Sequence, residues 1–132
     1  MKLKAALGLS AALALGASQV AAQGEARWVE VRSDSTEVVS IDTASVTSVG
    51  DNVYRVWERS GSRASRDAQI LARADFDCRL RLTRTVAVAL PGFAPVAASS
   101  DDREWVEILP GSRYEAELRR VCSTAGSTGG PR

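Results

Sequence analysis

Residues 27–32, RWVEVR, alternate polar and apolar positions, the period-2 pattern of a half-buried strand. Residues 33–36, SDST, break it, and residues 37–41, EVVSI, begin a second strand. Asp42 then has the character of a cap for a turn or one helical turn through Val46. Gly50, Asp51 and Asn52 form a turn, and residues 53–59, VYRVWER, read as a third strand. Residues 60–67, SGSRASRD, have the composition of a polar loop.

Residues 68–90 contain neither glycine nor proline. As one strand they would reach ~76 Å at 3.3 Å per residue, too long for a domain of this size, so the segment must fold back. Before the reversal, Ile70, Ala72, Ala74, Phe76 and Cys78 share one face, and Leu71, Arg73, Asp75 and Asp77 share the other. The reversal is expected at residues 78–80. A fifth strand follows over residues 81–90, with Leu82, Val86, Val88 and Leu90 on one face. Residues 91–95, PGFAP, are a turn, residues 96–99 a weak sixth strand and residues 100–104 an acidic loop.

Residues 108–122, ILPGSRYEAELRRVC, carry the signature of a helix. Ser112 and Glu115 have the spacing of a capping box, in which the hydroxyl and the carboxylate satisfy first-turn N–H groups. Tyr114, Leu118, Val121 and Cys122 fall on one helical face; Glu115, Glu117, Arg119 and Arg120 mostly take the other. Strands joined by short turns and closed by one helix predict an α+β fold: a mostly antiparallel sheet with a C-terminal helix on one face.

Residues 1–22 read as a signal peptide. Lys2 and Lys4 give a positive start, an apolar run follows, and Val20-Ala21-Ala22 resembles a cleavage site before Gln23. The apolar run falls short of the ~20 residues that span a bilayer, and no lipid-attachment cysteine lies near the cleavage point. The expected layout is therefore a leader over 1–22, a domain over 23–122 and a disordered tail over 123–132. Removing the leader takes both lysines and leaves fifteen arginines against sixteen acids, a formal net charge of −1. That balance argues against a dedicated nucleic-acid or anionic-membrane binder. The alanine-rich leader and the lysine-free domain point to a high-GC bacterial genome, with a Gram-negative bacterium as the expected source. The expected location is the periplasm or the cell surface.

The two cysteines, Cys78 and Cys122, stand 44 positions apart. In an oxidising compartment two buried cysteines are read as a bridge, here fastening the helix to the middle of the sheet. No histidine is present to complete a zinc site with them.

The chain resembles the surface-adhesin protein E family of bacterial exported domains. The resemblance rests on Trp28-Val29-Glu30-Val31, Ile41-Asp42, Ala44-Ser45-Val46 and Val53-Tyr54-Arg55-Val56-Trp57. It continues in Asp75-Phe76-Asp77-Cys78, Trp105, Ile108-Leu109-Pro110-Gly111-Ser112 and Cys122. It implies a curved six-stranded antiparallel sheet with the helix disulfide-tethered to the concave side. It also implies an exported, non-enzymatic binding module, with host matrix or envelope proteins as the partner class. The alternative reading is a periplasmic envelope-associated or inhibitor-like protein with a bacterial or host protein target.

Residue chemistry favours binding over catalysis. With no histidine and both cysteines paired, the commonest general base and the thiol nucleophile are missing. Asp75 and Asp77 fit cross-strand charge pairs on a solvated face better than a metal or acid–base site. Asp101, Asp102 and Glu104 fit a solvated loop better than a calcium site. Trp28, Trp57 and Trp105 are expected as core or rim packing. No cofactor, metal or catalytic residue is expected. The candidate protein-contact surface is Arg63 and Arg66 in the polar loop, with Arg73, Arg79 and Arg81 on and beside the sheet.

Overall fold

A computed structural model describes residues 25–65 and 68–127. The proposed leader, and Arg66 and Asp67 of the polar loop, lie outside the described residues, as do residues 128–132 of the tail. Eight antiparallel strands form one open sheet: β1 (Trp28–Ser33), β2 (Glu37–Asp42), β3 (Thr47–Gly50), β4 (Val53–Ser62), β5 (Ile70–Asp77), β6 (Leu82–Ala89), β7 (Val96–Ala97) and β8 (Val106–Glu107). The order is β1-β2-β4-β5-β6-β7, with β3 also paired to β4 and β8 to β6. One helix, α1 (Arg113–Ser127), packs against the sheet.

The six expected strands correspond to the six positions across the sheet. The additional two are short partners of strands already in place. β2 pairs with β4 at Glu58 to Ser62, and β3 pairs with the same strand at Val53 to Arg55. Between them lies one 3₁₀ turn, Thr43–Ser45, whose cap is Asp42, accepting from the Ala44 N–H at 3.0 Å. β3 leaves no pattern in the sequence because all four of its residues are exposed and nothing alternates. In the same way β7 and β8 pair with opposite ends of β6.

β4 continues through Ser60, Gly61 and Ser62, which were expected as loop. Both neighbours pair with this end of the strand, and backbone ladders do not depend on apolar side chains. Gly61 allows the next residue of the facing segment to come close: a Cβ there would stand 3.0 Å from Gln69 Cγ.

The β5–β6 reversal spans residues 78–81, one residue longer than the expected 78–80. Asp77 fastens it by accepting from the Arg79 and Leu80 N–H groups at 2.9 and 2.7 Å. The face assigned to β6 requires correction. Its register shifts between Arg73 and Ala74, so Val88 faces Ala72 while Leu82 faces Asp77. Directly opposed residues share a face, so Leu82 and Val88 lie on opposite sides of the sheet. A bulge of one residue inverts the alternation that follows it.

The core lies between the sheet and α1. Ile41, Val56, Ala74 and Phe76 meet Ile108, Leu118 and Val121. Fully burying each side chain the size of Leu118 or Val121 contributes about 1.5–3 kcal/mol. Cys78, just after β5, is bonded to Cys122 on α1, with Cα atoms 5.8 Å apart. Closing that loop contributes up to ~4 kcal/mol in the chain-entropy model.

Three details of α1 differ from the expectation. Tyr114 does not dock fully and is 38% exposed, whereas Glu117 is 0% exposed against the sheet. The capping box does not form: the buried Ser112 hydroxyl has no hydrogen-bond partner. The Glu115 carboxylate instead reaches Arg81 at 3.1 Å and Arg119 at 2.9 Å. The helix also continues past Cys122 to Ser127, so the first residues assigned to the tail are helical.

Candidate functional site: the helix-free face of the sheet

Alternation along β4 divides six residues between two environments. Tyr54, Val56 and Glu58 face the helix, and Arg55, Trp57 and Arg59 face away. Cross-strand partners extend the second set. Trp57 faces Arg73, Arg55 faces Asp75, and Asp75 faces Arg84 on β6. On β1, Trp28 faces Asp42 and Glu30 faces Ser40, which in turn faces Arg59. The uncovered face thus carries a belt of arginine and tryptophan from β1 to β6.

Three stacks organise the belt. Arg59 lies over Trp28, Arg73 over Trp57 and Arg84 over Trp105, each 4.4 Å from the ring centroid. Such a stack is worth about 0.5–1 kcal/mol at an exposed site and leaves the guanidinium edge free to donate. Between the second and third stacks sits Asp75, which is 0% exposed. Arg55 binds it with two hydrogen bonds, at 2.7 and 3.1 Å, and Arg84 donates to it at 3.0 Å. The hydrogen bond to Asp75 is the main reason the Arg55 pKa rises. Arg59 and Arg73 make no ion pair among the described residues.

Asp75 was expected on a solvated face. Cross-strand pairing holds, but the partners are Arg55 and Arg84, and their side chains cover the carboxylate. Asp77 is buried as well and spends one oxygen on the turn. Asp102 closes its own loop, accepting from the Ser99 hydroxyl at 2.8 Å while its carbonyl accepts from the Thr85 N–H at 2.9 Å. No group of three or more potential ligands is placed to hold a metal among the described residues.

The sequence-predicted contact arginines do not form one patch. Arg73 belongs to the belt. Arg63 lies beside its β1–β2 end, donating to the Asp34 carbonyl at 2.9 Å and to the Ser33 hydroxyl. Arg79 and Arg81 sit in the β5–β6 reversal, where Arg81 has φ 57° and pairs with Glu115 on α1. Arg66 lies outside the described residues. Arg55, Arg59 and Arg84 were overlooked as members. The R-V-W-E-R run at residues 55–59 carried the signal, because it places two arginines and a tryptophan on one strand face.

The covered face holds the other concentration of charge. Glu58 on β4 and Glu117 on α1 are 7% and 0% exposed, and neither has all its oxygens hydrogen-bonded. Burial, and then the neighbouring Glu58, push the Glu117 carboxyl up to about 9. Arg113 offers partial compensation, 3.6 Å from Glu117 and 3.0 Å from Glu37. The two glutamates lie between helix and sheet, whereas no described helix covers the belt.

Neither the curated proteins nor the solved structures yield a match. A family model described as surface-adhesin protein E matches residues 28–123, from the first residue of β1 to one past Cys122. The chain belongs to the surface-adhesin protein E family.

Proposed function

We propose that the domain is an exported, non-enzymatic binding module that contacts a protein partner through the helix-free face of its sheet. The observation that carries this reading is the belt of three arginine–tryptophan stacks, left uncovered while the helix seals the opposite face. Tryptophan and arginine are the residue types most enriched where binding energy concentrates in protein interfaces. Stacking also orders the arginines in advance, which lowers the entropy cost of docking. Family membership supports a protein as the partner and an exported or surface location. Arg63 and Arg73 are the two contact arginines of the sequence reading that this surface retains.

The test is site-specific photo-crosslinking on producing cells. A crosslinking amino acid replaces Trp57 in one variant and Arg119, on the exposed side of α1, in another. The reading expects a protein adduct from the first position that protease added outside the cell removes. An adduct formed only from the Arg119 position would reject the face. An adduct that forms at position 57 but is shielded from external protease would favour the periplasmic alternative.

A further inference from the structure

The belt ends, on the β1 side, in a polar pocket of about 260 Å³. Its walls include Glu30, Ser40, Arg59, Ser62, Arg63 and Gln69. Each wall has a structural cause. Glu30, Ser40 and Arg59 are successive cross-strand neighbours on β1, β2 and β4. Gln69 closes in beside Gly61, where a Cβ would stand 3.0 Å from its Cγ. Arg63 is steered to the rim by the Asp34 carbonyl and the Ser33 hydroxyl.

One atom of a wall residue stands out. The Arg59 Nε is buried and has no hydrogen-bond partner. Stacking on Trp28 uses the flat face of that guanidinium and leaves its edge donors unspent. A buried donor left without a partner is costly, and an incoming acceptor would offset that cost. Two arginines against the single Glu30 give the pocket one surplus positive charge, matched by one carboxylate rather than a dianion.

We propose that this pocket receives the side-chain carboxylate of an acidic residue on the protein partner, with Arg59 as the principal donor and Arg63 as the second. The proposal rests on the protein-binding reading and adds to it the chemistry of the partner's anchor. A guanidinium edge and a carboxylate meet in a planar, two-bond geometry that a lysine cannot reproduce. The stacks beside the pocket then take the apolar residues flanking that acid. A sulfated polysaccharide fits less well, since repeated anions call for a run of unopposed cations, and Glu30 interrupts the run here.

The probes are a capped pentapeptide with three acidic side chains, its amide counterpart, and a heparin fragment. Each is titrated into the wild-type domain while the Arg59 Nε–Hε resonance is followed by NMR. The expected result is a saturable shift with the acidic peptide, absent with the amide peptide, and weakening as salt rises. Arg59→Gln is expected to weaken acidic-peptide binding about tenfold, and Arg119→Gln to leave it unchanged. A shift produced only by heparin, or equally by both peptides, would overturn the proposal without needing any variant to fold. The crosslinked partner separates this inference from the reading beneath it. If that partner loses affinity for Trp57→Ala but not for Arg59→Gln, the pocket assignment fails and the face stands. If neither change matters, the face itself is wrong.

Discussion

Glu58 on β4 and Glu117 on α1 meet across the sheet–helix interface, two carboxyls sealed from water with one partly satisfying arginine between helix and sheet. Burial, and then the charge of the neighbouring Glu58, make ionisation of Glu117 costly, so Glu117 retains its proton where an isolated glutamate has lost it.

The pH dependence follows from that proton. The folded Glu117 pKa, about 9, lies above its ordinary value of 4.5. The folded state therefore holds the proton more tightly than the unfolded chain does. Its stabilising contribution is fully present below about pH 4.5, declines as pH rises and is lost through pH 9. Glu117→Gln keeps the shape without the charge. We expect that variant to be roughly 1–3 kcal/mol more stable than wild type near pH 9 and to show a flatter profile from pH 5 to 9. Urea unfolding across that range checks it; a wild-type stability that rises with pH through this window would contradict the arrangement.

Replacing Cys122 by serine removes the tether but leaves the core contacts of Leu118 and Val121. The expected loss is up to ~4 kcal/mol of stability, with the β-sheet circular dichroism retained at 25 °C. Loss of all β signal in that variant would show that the sheet does not stand without the bond.

Asp75→Asn tests the covered carboxylate of the belt. Its partners Arg55 and Arg84 are 35% and 32% exposed, so water screens them when the negative charge is gone. The expected cost is about 2 kcal/mol, below the 3–5 kcal/mol of a fully buried broken pair. Thermal melts of the variant and of Arg55→Gln measure it. A cost within 0.5 kcal/mol of zero for both would mean the belt does not depend on Asp75.

Much of the scaffold was legible in the sequence because its determinants are local. Alternation around Val29, Ile41 and Val56 marks β1, β2 and β4, the turn at Gly50 to Asn52 has a sequence signal of its own, and the reversal after Asp77 follows from the length of residues 68–90. The bond between Cys78 and Cys122 followed from cysteine arithmetic and compartment. The missed features depend on partners distant in sequence. Thr47–Gly50 is a strand only because β4 lies alongside, and Ser60 to Ser62 extend because β2 pairs with all three and β5 with Ser60. Helical periodicity assigned Glu117 to solvent, since one polar residue scarcely moves a helical stripe; its burial comes from how α1 settles on Glu58. The belt was legible in half. The run at residues 55–59 names its centre, but the stacking of Arg59 on Trp28 spans β2, and no spacing rule announces it.

The central claim is that binding uses the helix-free face, and the dissociation rate of the purified partner from surface variants tests it most directly. Trp57→Ala with Arg73→Ala removes one stack, while Arg119→Ala with Arg120→Ala alters the exposed side of α1. Loss of a well-packed aromatic–arginine contact acts mainly on dissociation. The account predicts at least about a tenfold faster dissociation for the first pair, with the second pair within about twofold of wild type. A dissociation rate unchanged by the Trp57 and Arg73 changes and accelerated by those at Arg119 and Arg120 would contradict it.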